Sequence, residues 1–331
     1  MNKKLIAGLI LAGVFTYLSL RNMDLGDVLV RLSSIEYSYL IAALLIIILI
    51  QLIRAFRWGM IMSPLGKIAP WDLLAITSIG LLAVVALPAR LGEVVRAYLV
   101  TRKTAIPMSS ALATILVERV LDSIAIVVMA AAVLIFVPLP PWMASASAFF
   151  SLITLALIAL IFLALIGREK VSGFLTSLIA KLPGRYAEPV KRLIKDFIDG
   201  FKILVQEKKI FKAAVLSAII WLLHVLVIVI LFEAFRLPVP LIAAFVLNIV
   251  LIVGIAIPAA PGFVGNWHYS SILGLGIFGI AQGEALSFAV VHHFLAVSVV
   301  ILMGLIFAFT SGISLTQLKR EAKGQESGVG T

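Results

Sequence analysis

Residues 85–92 read Val-Ala-Leu-Pro-Ala-Arg-Leu-Gly, and residues 255–262 read Ile-Ala-Ile-Pro-Ala-Ala-Pro-Gly. The two strings lie 170 residues apart and share four of eight positions without a gap: Ala86 with Ala256, Pro88 with Pro258, Ala89 with Ala259 and Gly92 with Gly262. Each interrupts a long apolar run. A proline inside a helix removes a backbone hydrogen bond and collides with the preceding turn, and a nearby glycine frees the chain further. In hydrocarbon such a break survives only where it is buried in protein or lines a wet cavity. Paired breaks in the two halves of a membrane chain point to a transport site. Pro88, Gly92, Pro258, Pro261 and Gly262 are therefore the expected hinge positions, and the chain reads as a transporter.

The bulk composition agrees. A 63% hydrophobic content and a mean hydropathy of +1.18 exclude a soluble globular domain. At about 20 residues per span, 331 residues hold roughly six to eight membrane segments and no sizeable soluble domain. The net charge of +11 comes from basic residues that border apolar spans, so the expected partners are anionic lipid headgroups and not nucleic acid. The chain has no cysteine, which excludes a disulfide framework and a thiolate metal site. Lys3-Lys4 followed by apolar Leu5–Leu20 resembles a signal peptide, but no small-residue cleavage site follows. An uncleaved first span is expected there.

The apolar runs are Leu5–Leu20, Tyr39–Ile53, Trp71–Leu87, Ser109–Val137, Ser145–Ile166, Ala213–Phe232, Pro240–Ile257 and Ala285–Gly312. The one long polar stretch, Gly167–Lys212, carries eleven Lys/Arg against five Asp/Glu. If every run crossed fully, this stretch would lie opposite Lys3 and Lys4, against the tendency of basic residues to stay cytoplasmic. The conflict disappears if Trp71–Leu87 enters, breaks at Pro88 and returns through Glu93–Thr101. Pro240–Ile257 with Trp267–Ile280 then does the same from the other side.

The expected fold is thus an all-α polytopic membrane protein with six full spans and two oppositely oriented re-entrant helical hairpins. The hairpins and spans form an inverted-topology repeat. Its halves are about 1–138 and 139–318, within a single domain spanning 1–318. Residues 319–331 form a disordered cytoplasmic tail. Both termini are cytoplasmic, in a plasma-membrane setting, and Arg54 and Arg57 count among the cytoplasmic cations. A fixed offset of 170 sets Asp122 opposite His292, Arg96 opposite Asn266 and Tyr98 opposite His268.

In the long loop, Val190, Leu193, Ile194, Phe197, Ile198, Phe201, Leu204 and Val205 recur at three- and four-residue spacing, with Pro189 suited to a first turn. Lys191, Arg192, Lys195 and Lys202 occupy or flank the polar side. This describes either a helix lying on the cytoplasmic leaflet or a connector packed on the bundle.

Chemistry concentrates in residues 88–96 and 118–122. Glu118 and Asp122 lie one helical turn apart on one face, with Arg119 three residues from Asp122. Charges at membrane depth cost about 3 kcal/mol or more each unless paired or hydrated. One reading is a salt-bridge network that locks the hairpin to the third span. The other adds a ligand: Arg90, Arg96 and Arg119 match a phosphodiester, helped by a helix N-terminus near Gly92. Glu93, Glu118 and Asp122 would pair with those arginines in the empty state, receive a headgroup amine, or carry a coupling proton. Near the second break, Asn266 and His268 are the polar side chains. His268 with His292 could form a proton relay, while a single span histidine is commonly a satisfied interhelical hydrogen-bonder.

Enzyme signatures are missing. There is no HExxH pair, no Gly-x-Ser-x-Gly elbow and no Walker loop, so no catalysis, cofactor or metal is expected. Without a nucleotide site, energy must come from a gradient or from an imbalance of substrate between leaflets.

LPARLGEVVRAYLV at 87–100, ERVLD at 118–122 and IPAAPGFVGNWH at 257–268 together resemble the flippase-like transmembrane family typified by the N-terminal membrane domain of lysylphosphatidylglycerol synthases. Stand-alone members and domains attached to polyprenyl-phosphate glycosyltransferases are similar, and the resemblance covers essentially the whole chain. It implies movement of an amphipathic lipid with a bulky headgroup between leaflets: aminoacyl-phosphatidylglycerol, another phospholipid or a polyprenyl-phosphate-linked sugar. The chain runs only to Thr331, so the synthases' aminoacyl-transfer domain has no counterpart in it and lipid synthesis is not expected. Asn266-Trp-His268 stands where some relatives carry an Arg-Glu pair. Two other readings are a transporter of a small soluble solute or ion, and a non-transporting scaffold for a separate lipid-modifying enzyme or glycosyltransferase.

Overall fold

The computed structural model describes residues 13–19, 35–86, 92–137, 141, 145, 148–149, 151–156, 158–159, 184–201, 206–256 and 261–311. Pro88, Arg90 and Pro258 lie outside them, as do the tail 319–331, more than half of the run Leu5–Leu20 and half of Ser145–Ile166. Among the described residues the chain is helical, with no strand. The main elements are α1 (Tyr37–Met62), α2 (Pro70–Ala86), α3 (Gly92–Lys103), α4 (Met108–Phe136), α5 (Gly184–Asp199), α6 (Glu207–Ala234), α7 (Ile242–Ala256), α8 (Asn266–Gly276) and α9 (Gln282–Thr310).

Among the described residues, α1, α4, α6 and α9 are long and apolar enough to cross a bilayer. At 1.5 Å per residue they extend about 40 Å, against roughly 25 Å for α2 and 18 Å for α3. α1 shows why they suit hydrocarbon. Ala43, Ile47, Ile50, Trp58 and Met62 are buried, while Tyr37, Ile41, Leu45, Leu49, Leu52 and Phe56 form an exposed apolar stripe at helical spacing. A helix apolar on both its packed and its outward faces belongs between protein and lipid.

The two short pairs are hairpins. At the mouth of the first, Lys103 at the end of α3 pairs with Asp72 at the start of α2. Nearer the tip, Gly80 lets Arg96 cross α2: a Cβ there would meet Arg96 Cγ at 2.0 Å. In the second hairpin Gly254 plays the same part toward Ser270, whose Oγ would lie 1.8 Å from an added Cβ, and Asn266 Nδ2 donates to the Gly254 carbonyl at 3.0 Å. The second tip turns through Gly262 (φ 74°), Phe263 (φ 58°) and Gly265 (φ 85°). Such left-handed backbone suits glycine and strains phenylalanine.

Helix order and lengths repeat. α1 to α4 have 26, 17, 12 and 29 residues, and α6 to α9 have 28, 15, 11 and 29. The packing repeats as well. α1 packs on α6. Then α1–α2, α2–α3, α3–α4, α2–α9 and α1–α4 correspond in order to α6–α7, α7–α8, α8–α9, α7–α4 and α6–α9. α1 and α6 run antiparallel, since Lys209 donates to Ser63 Oγ at 3.0 Å at one end and Arg236 meets Glu36 at 2.5 Å at the other. Near the crossing, Arg54 Nη2 donates to His224 Nε2 at 2.9 Å, joining residues 170 positions apart.

Residues 87–91 separate α2 from α3, whereas 257–265 separate α7 from α8, four more. Met108–Phe136 and Gln282–Thr310 are of equal length and begin 174 residues apart.

α5 begins at Gly184, so Pro189 sits inside the helix and not in its first turn. One side packs on α4: Ser110 Oγ donates to the Asp196 carbonyl at 2.5 Å, and Phe201 is buried among Ile61, Ala113, Val117 and Leu121. Leu193, Lys191, Arg192 and Lys195 remain exposed. Ile194's side chain and residues 202–205 lie outside the description.

Candidate functional site

α4 carries the acidic pair into the bundle. Glu118 and Asp122, 2% and 7% exposed, project from one face as their spacing requires. Arg57 on α1, 1% exposed, grips both. Its Nη2 donates to Glu118 Oε1 at 2.8 Å and to Asp122 Oδ2 at 3.3 Å. Its Nη1 reaches Asp122 Oδ1 and, at 2.5 Å, Ser217 Oγ. Arg96 on α3 donates to Glu118 Oε2 at 2.9 Å and stacks over the Trp58 ring, 4.1 Å from its centroid. Arg119 closes the cluster with Glu118 at 3.0 Å, Asp122 at 3.5 Å and Glu93 at 3.6 Å. Its side chain is 37% exposed, so a ligand can reach it.

This network faces a cavity of about 310 Å³ at the junction of the halves. Glu93, Arg96, Glu118, Arg119, Asp122 and Arg54 line it, together with Trp221, His224, Asn248, Trp267 and His292, and Val84, Val85, Ile255, Ala256 and Phe263 from the two hairpin tips add apolar wall. Four guanidinium groups (Arg54, Arg57, Arg96, Arg119) stand against three carboxylates. The surplus is positive, and among the described residues Arg54 makes no carboxylate ion pair. The helix start expected near Gly92 is present, with Glu93 in its first turn opposing the positive dipole end.

The histidines divide. His292 lines the cavity, 5% exposed, against the Trp267 ring at 5.1 Å. His268 turns toward the break, where its Nδ1 accepts from Gly265 N–H at 3.4 Å, and its ring meets His293 at 4.9 Å. His293 Nε2 donates to the Gly262 carbonyl at 2.7 Å. The ring contacts thus run from His268 to His293, from His293 to Trp267 and from Trp267 to His292. Asn266 is buried at the second hairpin's tip. Pro261 opens the short turn Pro261–Phe263. No cluster of three or more metal-ligating His, Asp or Glu occurs among the described residues.

Arg54 and Arg57, read from the sequence as cytoplasmic cations, lie on α1 at the site, Arg57 buried and Arg54 half-buried. Reading the apolar run only to Ile53 hid them. The signal was the continuing helical period through Ile50, Trp58, Ile61 and Met62, with the two arginines spaced by three residues. Gln51, Thr77 and Trp221 carry no local mark at all, because only tertiary packing turns them inward.

Residues 5–304 match the family described as the lysylphosphatidylglycerol synthase TM region. A UPF0104 membrane protein from Methanothermobacter thermautotrophicus is 22% identical over 226 residues, covering 64% of this chain and 67% of that protein. With its apolar helices, the chain is a multi-pass membrane protein.

Proposed function

The chain belongs to the lysylphosphatidylglycerol synthase TM-region family, and on that premise we propose that it translocates an amphipathic, phosphate-bearing lipid between leaflets. The observation that carries this is the positively biased cavity where the two halves meet. Guanidinium forks suit phosphate geometrically and electrostatically. Arg119, already partly open, and Arg54, which makes no carboxylate ion pair among the described residues, receive the phosphate. Arg96 completes the site, and Arg90, outside the described residues, is assigned to it from the sequence alone. Glu93, Glu118 and Asp122 hold the arginines when no lipid is bound.

In this reading the paired hairpins are re-entrant from opposite leaflets, and the antiparallel α1–α6 crossing is the axis of an inverted repeat. Rocking about it alternates access. Six full spans, cytoplasmic termini, a plasma-membrane setting and one domain over 1–318 belong to the same proposal. So does a transport role without catalysis. A separate lipid-modifying enzyme or glycosyltransferase would supply or consume the lipid.

A cavity the size of one headgroup also suits a small soluble solute, which gives the second reading. Reconstitution into liposomes with fluorescent phospholipids separates them. Under the lipid reading the protein accelerates transfer between leaflets and Arg119→Ala slows it at least tenfold. Solute uptake into sealed vesicles with no lipid transfer would establish the second reading instead.

A further inference from the structure

The cavity that holds the arginines also carries uncharged polar groups that the ion cluster does not use. Gln51 Oε1, Thr77 Oγ1, Trp221 Nε1, Trp267 Nε1 and His292 Nδ1 are buried and have no hydrogen-bond partner among the described residues. All five residues line the same cavity, and they come from five different helices. Gln51, Thr77 and His292 are 5%, 3% and 5% exposed. Buried polar atoms are almost always paired, so five orphans on residues that line one cavity point to a polar ligand there.

Their chemistry selects among headgroups. The indole N–H groups only donate, the Gln51 carbonyl oxygen only accepts, and the Thr77 hydroxyl does both. Hydroxyl groups, which also do both, satisfy this mixed set. An ammonium only donates and leaves both indoles unpaired. It also lacks a counter-ion, because Glu118, Asp122 and Glu93 are each engaged by arginine and the site carries a positive surplus. The two indole rings offer apolar faces with polar edges, suited to a carbon skeleton bearing hydroxyls.

We infer that the headgroup joins its phosphate to a neutral, hydroxyl-rich group, a linear polyol or a ring such as a sugar, and not to an aminoacyl ammonium. This rests on the lipid-translocation reading and names its substrate class. Phosphate sits at Arg119 and Arg54, and the hydroxylated group reaches toward Trp221, Thr77 and His292.

The test is competition against fluorescent phosphatidylglycerol on the purified full chain, with four unlabelled lipids: phosphatidic acid, phosphatidylglycerol, phosphatidylinositol and lysylphosphatidylglycerol. Phosphatidylglycerol or phosphatidylinositol should bind roughly tenfold tighter than phosphatidic acid and lysylphosphatidylglycerol, as one or two added hydrogen bonds imply. Preference for phosphatidylinositol identifies a ring, and preference for phosphatidylglycerol a linear polyol. Trp221→Phe, which keeps an aromatic ring but removes the N–H, and Thr77→Val, which keeps shape, should each reduce the ratio of hydroxylated-lipid to phosphatidic-acid affinity several-fold, whereas Arg119→Ala weakens all four lipids together. Equal affinities, as when only water meets those groups, or tightest binding of lysylphosphatidylglycerol, overturn the inference while leaving lipid translocation standing. Absence of any lipid transfer in liposomes overturns both.

Discussion

Arg57→Met tests whether the buried ion cluster holds the bundle together. In the parent, Arg57 supplies Glu118 with one of its three guanidinium partners and Asp122 with both of its nearest contacts. Methionine fills similar space without charge. Glu118 then keeps Arg96 at 2.9 Å and Arg119 at 3.0 Å, but Asp122 keeps only Arg119 at 3.5 Å. Ser217 loses its donor as well. Removing one partner from a buried pair leaves a poorly compensated charge and costs about 3–5 kcal/mol. Asp122→Asn in the same background removes that charge, so the double variant should recover about 2 kcal/mol or more, in line with coupled neighbours. Sodium dodecyl sulfate-driven unfolding in mixed micelles, followed by tryptophan fluorescence and helical circular dichroism, reads both values. A loss below about 1 kcal/mol for Arg57→Met, or simple additivity in the double variant, would refute the assignment of Arg57 as the cluster's keystone cation.

The remaining expectations concern packing and surfaces. Gly80→Ala places a methyl 2.0 Å from Arg96 Cγ and should cost about 1–3 kcal/mol while pulling Arg96 from Glu118, visible as slowed lipid transfer. Gly254→Ala collides with Ser270 Oγ, and Ser270→Gly in the same chain should restore most of the lost stability in the same unfolding assay. Asp72→Asn breaks a half-exposed pair at the first hairpin's mouth and should change stability by less than about 1 kcal/mol. A polarity-sensitive dye at Leu193→Cys should shift to the blue in anionic nanodiscs relative to neutral ones, and less so after Lys191, Arg192 and Lys195 are changed to Gln. No shift would mean that α5 is only a packed connector.

The parts legible in the sequence were those written locally. Proline and glycine at 85–92 and 255–262 announced two breaks, and short antiparallel helix pairs flank both. The spacing of Glu118, Arg119 and Asp122 announced one charged face, which is where the cluster forms. What failed did so for geometric reasons. An ungapped comparison at an offset of 170 does not line up the starts of α4 and α9, which lie 174 residues apart, because the second tip is four residues longer. Arg57 escaped because a cation at the end of an apolar run reads as an interface anchor until its carboxylate partners, 61 and 65 residues away, are in view. The uncharged polar lining of the cavity escaped for a related reason. A tryptophan or threonine in an apolar helix has the same local pattern whether it faces lipid, core or ligand.

The central claim is that two hairpins enter from opposite sides and meet at the charged cavity, and the natural lack of cysteine makes it directly measurable. Single cysteines at Lys67 and Ala105 flank the first hairpin, and at Leu241 and Ala281 the second; all four positions are exposed. Labelling with a membrane-impermeant maleimide, from each side of sealed vesicles in turn, should place Lys67 and Ala105 on one face and Leu241 and Ala281 on the other. Finding Lys67 and Ala105 on different faces, or all four positions on the same one, would contradict it.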